Sequence, residues 1–122
     1  MDEWYLVAQL KNFRSGARGM HPDDIGGLRM YPMSRSLKQD SDIEAVAAYV
    51  SNMPVAEPEP VVVGGDPVKG AELYVLCQQC HGAVGEGNQV MNSPGLTGTN
   101  DWYLVSELVE FKKGIRGANP AN

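Results

Sequence analysis

Apolar residues recur along this chain at helical spacing, with little of the alternation that marks half-buried strands. Ile43, Val46, Ala47 and Val50 stand at i, i+3, i+4 and i+7 and predict a helix over 42–53. Ser41 with Glu44 reads as its capping box, and Pro54 ends it. Val68, Ala71, Leu73, Tyr74 and Leu76 predict a second helix, opened by Asp66-Pro67 and running through about Gln79. Two more are expected over 4–15 and 102–113, stopped by Gly16 and Gly114. Residues 82–99 are rich in Gly, Asn, Ser, Thr and Pro and read as loop. Val61-Val62-Val63 could form a short strand but has no visible partner. The expected fold class is all-α.

The helical pattern contains a repeat. Residues 4–19, WYLVAQLKNFRSGARG, return at 102–117 as WYLVSELVEFKKGIRG, with nine of sixteen positions identical at an offset of 98. Two unrelated amphipathic helices would not keep F-x-x-G-x-R-G in register. An offset of this size is about one small domain. The chain is therefore expected to begin inside one repeat unit and stop inside the next. The stretch 54–67, PVAEPEPVVVGGDP, holds four of the eight prolines and reads as an extended spacer between units. Three segments are expected: 1–54, a linker at 55–66, and 67–122.

Composition narrows the function classes. Hydrophobic residues make up 43% of the 122, an ordinary globular share. The net charge of −5 argues against nucleic-acid binding and permits a basic protein partner. Residues 1–54 carry 6 Lys/Arg and 7 Asp/Glu, and residues 55–122 carry 4 and 8. No apolar run approaches the roughly 20 residues that span a bilayer. The opening Met1-Asp2-Glu3-Trp4 has neither a basic nor an apolar leader segment, so a signal sequence is expected upstream.

The two cysteines fall together in Cys77-Gln78-Gln79-Cys80-His81. C-x-x-C-H reads as covalent attachment of a c-type haem. At the end of a helix the two thiols share one side, each placed to form a thioether, and the adjacent imidazole can ligate the iron. Three alternatives compete. A thioredoxin-like thiol pair needs a βαβ setting, and none is visible. A structural zinc site needs four ligands, for which only Cys77, Cys80, His81 and the distant His21 are on offer. A plain disulfide would not need the histidine.

A second axial ligand is sought among the methionines. Met30 and Met33, in RMYPMSRSL between two helices, are the candidates, with Met20 and Met91 weaker ones. A methionine is ordinarily core filler.

With Cys77–Gly82, Pro94-Gly95-Leu96, the 102–113 helix, and then 4–15, Met30 and 42–53, the chain resembles class I c-type cytochromes. The YL-x-x-x-L-x-x-F-x-x-G-x-R segment resembles the tandem, two-haem subgroup. The resemblance implies a small cytochrome c-like helical fold around a covalent haem, its elements permuted or split between two half-domains. Residues 1–54 would be the C-terminal half of one unit, with the methionine loop and last helix. Residues 67–122 would be the N-terminal half of the next. The family's methionine commonly lies seven residues before the Leu that precedes the last helix, and Leu37 then points to Met30, with Met33 as runner-up. Pro94 would accept a hydrogen bond from the His81 ring. His21 matches no ligand position, and Trp4 and Trp102 read as packing residues.

The order of the halves is a departure from the family. The methionine of His81's own unit would fall six residues past Asn122, and the first unit's C-x-x-C would precede Met1. Met30 and His81 would then ligate different haems. They could combine only within a permuted chain or in a swapped homodimer.

The function implied is one-electron transfer by haem c in a respiratory-type chain, without enzymatic turnover. A Met/His ligand pair raises the reduction potential. The family's setting is periplasmic or otherwise extracytoplasmic, between a donor complex and a terminal oxidase or reductase. An open-site, peroxidase-like haem domain or oxidoreductase subunit is the alternative. A non-haem thiol or zinc module is the third.

Overall fold

A computed structural model describes residues 1–55 and 57–119. Ala56, inside the expected linker, and residues 120–122, at the end of the last expected segment, lie outside the described residues. Five α-helices follow in order: α1 (Glu3–Ser15), α2 (Ile25–Ser34), α3 (Asp40–Ser51), α4 (Pro67–His81) and α5 (Asp101–Lys113). A short 3-10 turn spans Gln89–Met91. Among the described residues there is no strand, only one isolated bridge between Asn88 and Ser93. The fold is all-α, as the apolar spacing requires.

In the first half, α1 packs against both α2 and α3. Its core is small: Phe13, Ile43 and Ala47 are buried. Ile43 and Ala47 are i and i+4 on α3, so one stripe of that helix faces α1. Gly19 sits at φ +83°, and a Cβ there would come within 2.5 Å of the Gly27 carbonyl oxygen. The turn between α1 and α2 therefore closes only around glycine. Lys11 and Arg14 of α1 both reach the Asp40 carboxylate at the start of α3, Lys11 at 2.7 Å. These contacts hold that carboxyl down at a pKa of about 2, Lys11 contributing most.

Two local expectations are corrected. Residues around Met30 form helix α2 where a loop was expected. The Asp24 side chain caps it by accepting from the Gly27 N–H at 2.6 Å. The paired Gly26-Gly27 and the internal Pro32 are poor helix formers, so the cap and the packing on α1 outweigh local preference. Helix α3 begins at Asp40, and the Asp42 carboxylate accepts from the Gln39 N–H at 2.9 Å. That box lies two residues earlier than the expected Ser41 and Glu44.

The linker is tied down at one point. The Val61 and Val62 N–H groups donate to the Asp101 carboxylate at 2.9 and 2.8 Å, joining it to the start of α5. These bonds draw the Asp101 pKa below its ordinary value. Helix α4 opens as expected, Asp66 accepting from the Val68 and Lys69 N–H groups with Pro67 at its first position. It runs through His81, two residues beyond Gln79, so Cys77, Cys80 and His81 share its last turns. No residue of α4 is buried, and Leu73, Val75 and Leu76 are exposed.

Candidate functional site

The end of α4 and the loop after it build one wall of a cavity. Cys77 and Cys80 are free thiols, Cys77 exposed and Cys80 half-buried. Gly82 then turns the chain at φ +85°. The Tyr74 hydroxyl donates to the Gly82 carbonyl at 2.9 Å, and the Gly87 N–H to the His81 carbonyl at 2.7 Å. Gly87 is a second required glycine: its φ is +84°, and a Cβ there would lie 2.4 Å from the Gly95 nitrogen. This close approach folds Pro94-Gly95 back over the helix end.

That fold sets the histidine. His81 Nδ1 is 2.8 Å from the Pro94 carbonyl oxygen. A carbonyl can only accept, so Nδ1 carries the proton and Nε2 keeps its lone pair for a metal. The ring is both oriented and fixed in tautomer by one bond. The cavity beside it measures about 820 Å³, with Cys77, His81, Pro94, Leu96 and Leu104 among its lining residues.

The opposite wall comes from both copies of the repeat. Tyr5 and Gln9 of α1 line the cavity beside Tyr103, Glu107 and Arg116. Glu107, 8% exposed, lies between Arg18 and Arg116, themselves 6% and 8% exposed. It accepts from Arg18 Nη2 at 2.9 and 3.1 Å and also pairs with Arg116. Arg116 donates to the Tyr5 hydroxyl at 2.7 Å, and Arg18 contacts the Tyr103 hydroxyl at 3.3 Å. Arg18 lies over the Phe13 ring and Arg116 over the Phe111 ring. Each contact has a counterpart shifted by 98: Arg116–Tyr5 mirrors Arg18–Tyr103, Arg18–Phe13 mirrors Arg116–Phe111, and Gln9 meets both arginines as Glu107 does. The two repeats thus meet across reciprocal contacts, with Gln9 and Glu107 as the unequal members.

Residues 67–121 match the family model described as Cytochrome c. The chain is also 31% identical over 123 residues to a protein named cytochrome c4 from Stutzerimonas stutzeri, and 28% identical to cytochrome c4 from Azotobacter vinelandii. Each alignment covers 93% of this chain and 58% of the relative. A third relative, named thiosulfate dehydrogenase electron acceptor, from Stutzerimonas stutzeri strain A1501, is 31% identical over 98% of this chain and 56% of its own length. The chain thus spans somewhat over half the length of these curated relatives. No solved structure matches it significantly. The family match over residues 67–121 and the cytochrome c4 relatives support a class I c-type cytochrome. The cofactor of this family is haem c, bound covalently, and Cys77 and Cys80 have the spacing of its attachment motif.

The residues present fit that group. Two free thiols stand one turn apart beside an imidazole with an available nitrogen, and Cys77 and His81 line the cavity. Competing uses of C-x-x-C find less support. No strand flanks it, and no three His, Cys, Asp or Glu side chains cluster to hold a metal ion among the described residues. His21 is exposed, its ring accepting from the Asp23 N–H.

Met30 and Met33 lie on α2, exposed, and neither is among the residues lining the cavity. Met20 and Met91 are also exposed and outside it. Trp4 and Trp102 each stack edge-on against the following tyrosine, at 5.8 and 5.9 Å. Sequence reasoning passed over Tyr5, Gln9 and Arg116 as site residues. The signal available for them was the repeat itself, which keeps Tyr and Arg identical in both copies.

Proposed function

We propose that this chain carries single electrons through one haem c, held by Cys77 and Cys80 and ligated by His81. The observation that carries the reading is the C-x-x-C-H turn at the end of α4 with His81 Nδ1 held by Pro94. When bound, the haem supplies an iron that cycles between ferric and ferrous states. The chain's own residues do the rest. Cys77 and Cys80 tether, His81 ligates, Pro94 orients the ring, and Leu96 and Leu104 supply apolar wall to the cavity. No general acid or base is needed. A reversible one-electron titration of the holoprotein, without peroxide turnover, is the expected result. Peroxide-dependent oxidation of an added donor would favour the enzymatic alternative.

The reading includes the domain organisation: 1–54 as the second half of one haem unit, 55–66 as linker, and 67–122 as the first half of another. The reciprocal contacts at an offset of 98 support it. Met30, with Met33 as runner-up, is then assigned to the iron of the first unit's haem. A swapped homodimer has one supporting observation. Phe13 on α1 is 7% exposed beneath α2 and α3, whereas its counterpart Phe111 on α5 is 50% exposed. An α2–α3 segment from a second copy fits that bare face. Loss of a sulfur-to-iron band in Met30→Leu, seen only in the dimer, would show it.

The partners proposed are redox proteins: a donor complex and a terminal oxidase or reductase. The relative named as an electron acceptor for thiosulfate dehydrogenase supports a dehydrogenase as donor class. No helix among the described residues is long and apolar enough to cross a membrane. Covalent haem attachment and the family resemblance support a periplasmic or extracytoplasmic place.

A further inference from the structure

We propose that Gln9, contributed by the first repeat, tunes the reduction potential of the haem attached in the second repeat. The inference rests on the haem reading above and goes beyond it. Gln9 and Glu107 occupy equivalent positions in the two copies and face the same pair of arginines. Gln9 Oε1 accepts from Arg18 Nη1 at 2.7 Å and from Arg116 Nη2 at 3.3 Å. Glu107 is thus the one carboxylate hydrogen-bonded to two buried guanidiniums, among the described residues.

Gln9, Glu107 and Arg116 all line the cavity. Glu110 on α5 interacts electrostatically with Arg18 and with Asp24. Arg116 is the arginine that lines the cavity. Its other partners are the neutral Tyr5 hydroxyl and Gln9. Its Nε, like that of Arg18, is buried without an acceptor. On the cavity wall Arg116 faces one carboxylate, Glu107, and one neutral amide, Gln9. Negative charge beside a haem disfavours the reduced form, because reduction adds one electron. A glutamate at position 9, as the other repeat has, would place a second carboxylate there. Having glutamine here makes the site a stronger electron acceptor.

The magnitude follows from Coulomb's law. A unit charge acting over roughly 10 to 15 Å at an effective dielectric of about 20 would change a one-electron ratio roughly tenfold. For one electron that is about 59 mV. Gln9 is a positioning and tuning residue and takes no part in ligation.

The test is an equilibrium redox titration of the holoprotein and three variants. Gln9→Glu is expected to lower the reduced-to-oxidised ratio at fixed potential about tenfold. Gln9→Met removes the same hydrogen bonds without adding charge, and should stay within about twofold of the wild type. Should Gln9→Glu fail to fold, Arg116→Gln removes the charge by another route and should lower the ratio similarly. A Gln9→Glu ratio within twofold of the wild type overturns the proposal, as does an equal fall in Gln9→Met. A foldable Arg116→Gln with an unmoved ratio also overturns it. If the wild type shows no haem absorption, the haem reading fails instead, before any variant is compared.

Discussion

Removing the Glu107 carboxylate should loosen the junction between the two repeats more than any other single polar substitution. Glu107 is 8% exposed and is shared by two arginines that are equally buried. Glu107→Gln keeps the shape but takes from both guanidiniums the carboxylate they share. Breaking a buried ion pair by deleting one partner costs about 3–5 kcal/mol, because the remaining charge stays desolvated. Total stability of a domain this size is about 5–15 kcal/mol, so a large share would go. Urea unfolding followed by tryptophan fluorescence reads it, since Trp4 and Trp102 each flank a junction tyrosine. A charge-free triple variant, Arg18→Met, Glu107→Leu and Arg116→Met, should regain most of the loss. A Glu107→Gln midpoint equivalent to less than about 1 kcal/mol of destabilisation would refute the reasoning. It would mean that water reaches the cluster and screens it.

Other outcomes follow from the same structure. Ile43 is fully buried in a core of three side chains, so Ile43→Ala should cost about 2–5 kcal/mol in urea unfolding. The Asp40 carboxyl is held near a pKa of about 2, against an ordinary 3.8, by Lys11 and then Arg14. A depressed acid contributes stability above its ordinary pKa and loses it as pH falls through the folded value. Thermal unfolding should therefore soften between about pH 4 and 2, and less in Asp40→Asn; identical acid profiles would sink that assignment.

Much of the fold was legible because its signals are local. Asp66-Pro67 opens α4, and Gly16 and Gly114 end α1 and α5 with left-handed φ. The haem-attachment turn is equally local, since Cys77, Cys80 and His81 occupy one stretch of helix. Helix α2 was illegible for the opposite reason. Gly26, Gly27 and Pro32 argue against a helix, and the Asp24 cap with packing on α1 overrides them. The cap of α3 was misplaced by two residues because Gln39 and Asp42 compete with Ser41 and Glu44 for the same role. The junction was half-legible. The repeat showed that Tyr5 and Tyr103, and Arg18 and Arg116, are equivalent, but no sequence pattern reveals that each tyrosine meets the other repeat's arginine across 85 and 111 positions.

The central claim is that Cys77 and Cys80 hold a haem covalently and His81 ligates it. Expression with a haem-attachment system, acid-acetone extraction and a pyridine haemochrome spectrum of the remaining protein test it most directly. The expected result is a c-type spectrum, one haem per chain, that stays with the polypeptide and is lost in Cys77→Ser/Cys80→Ser. A protein that is colourless, or whose haem is extracted completely, would contradict the account.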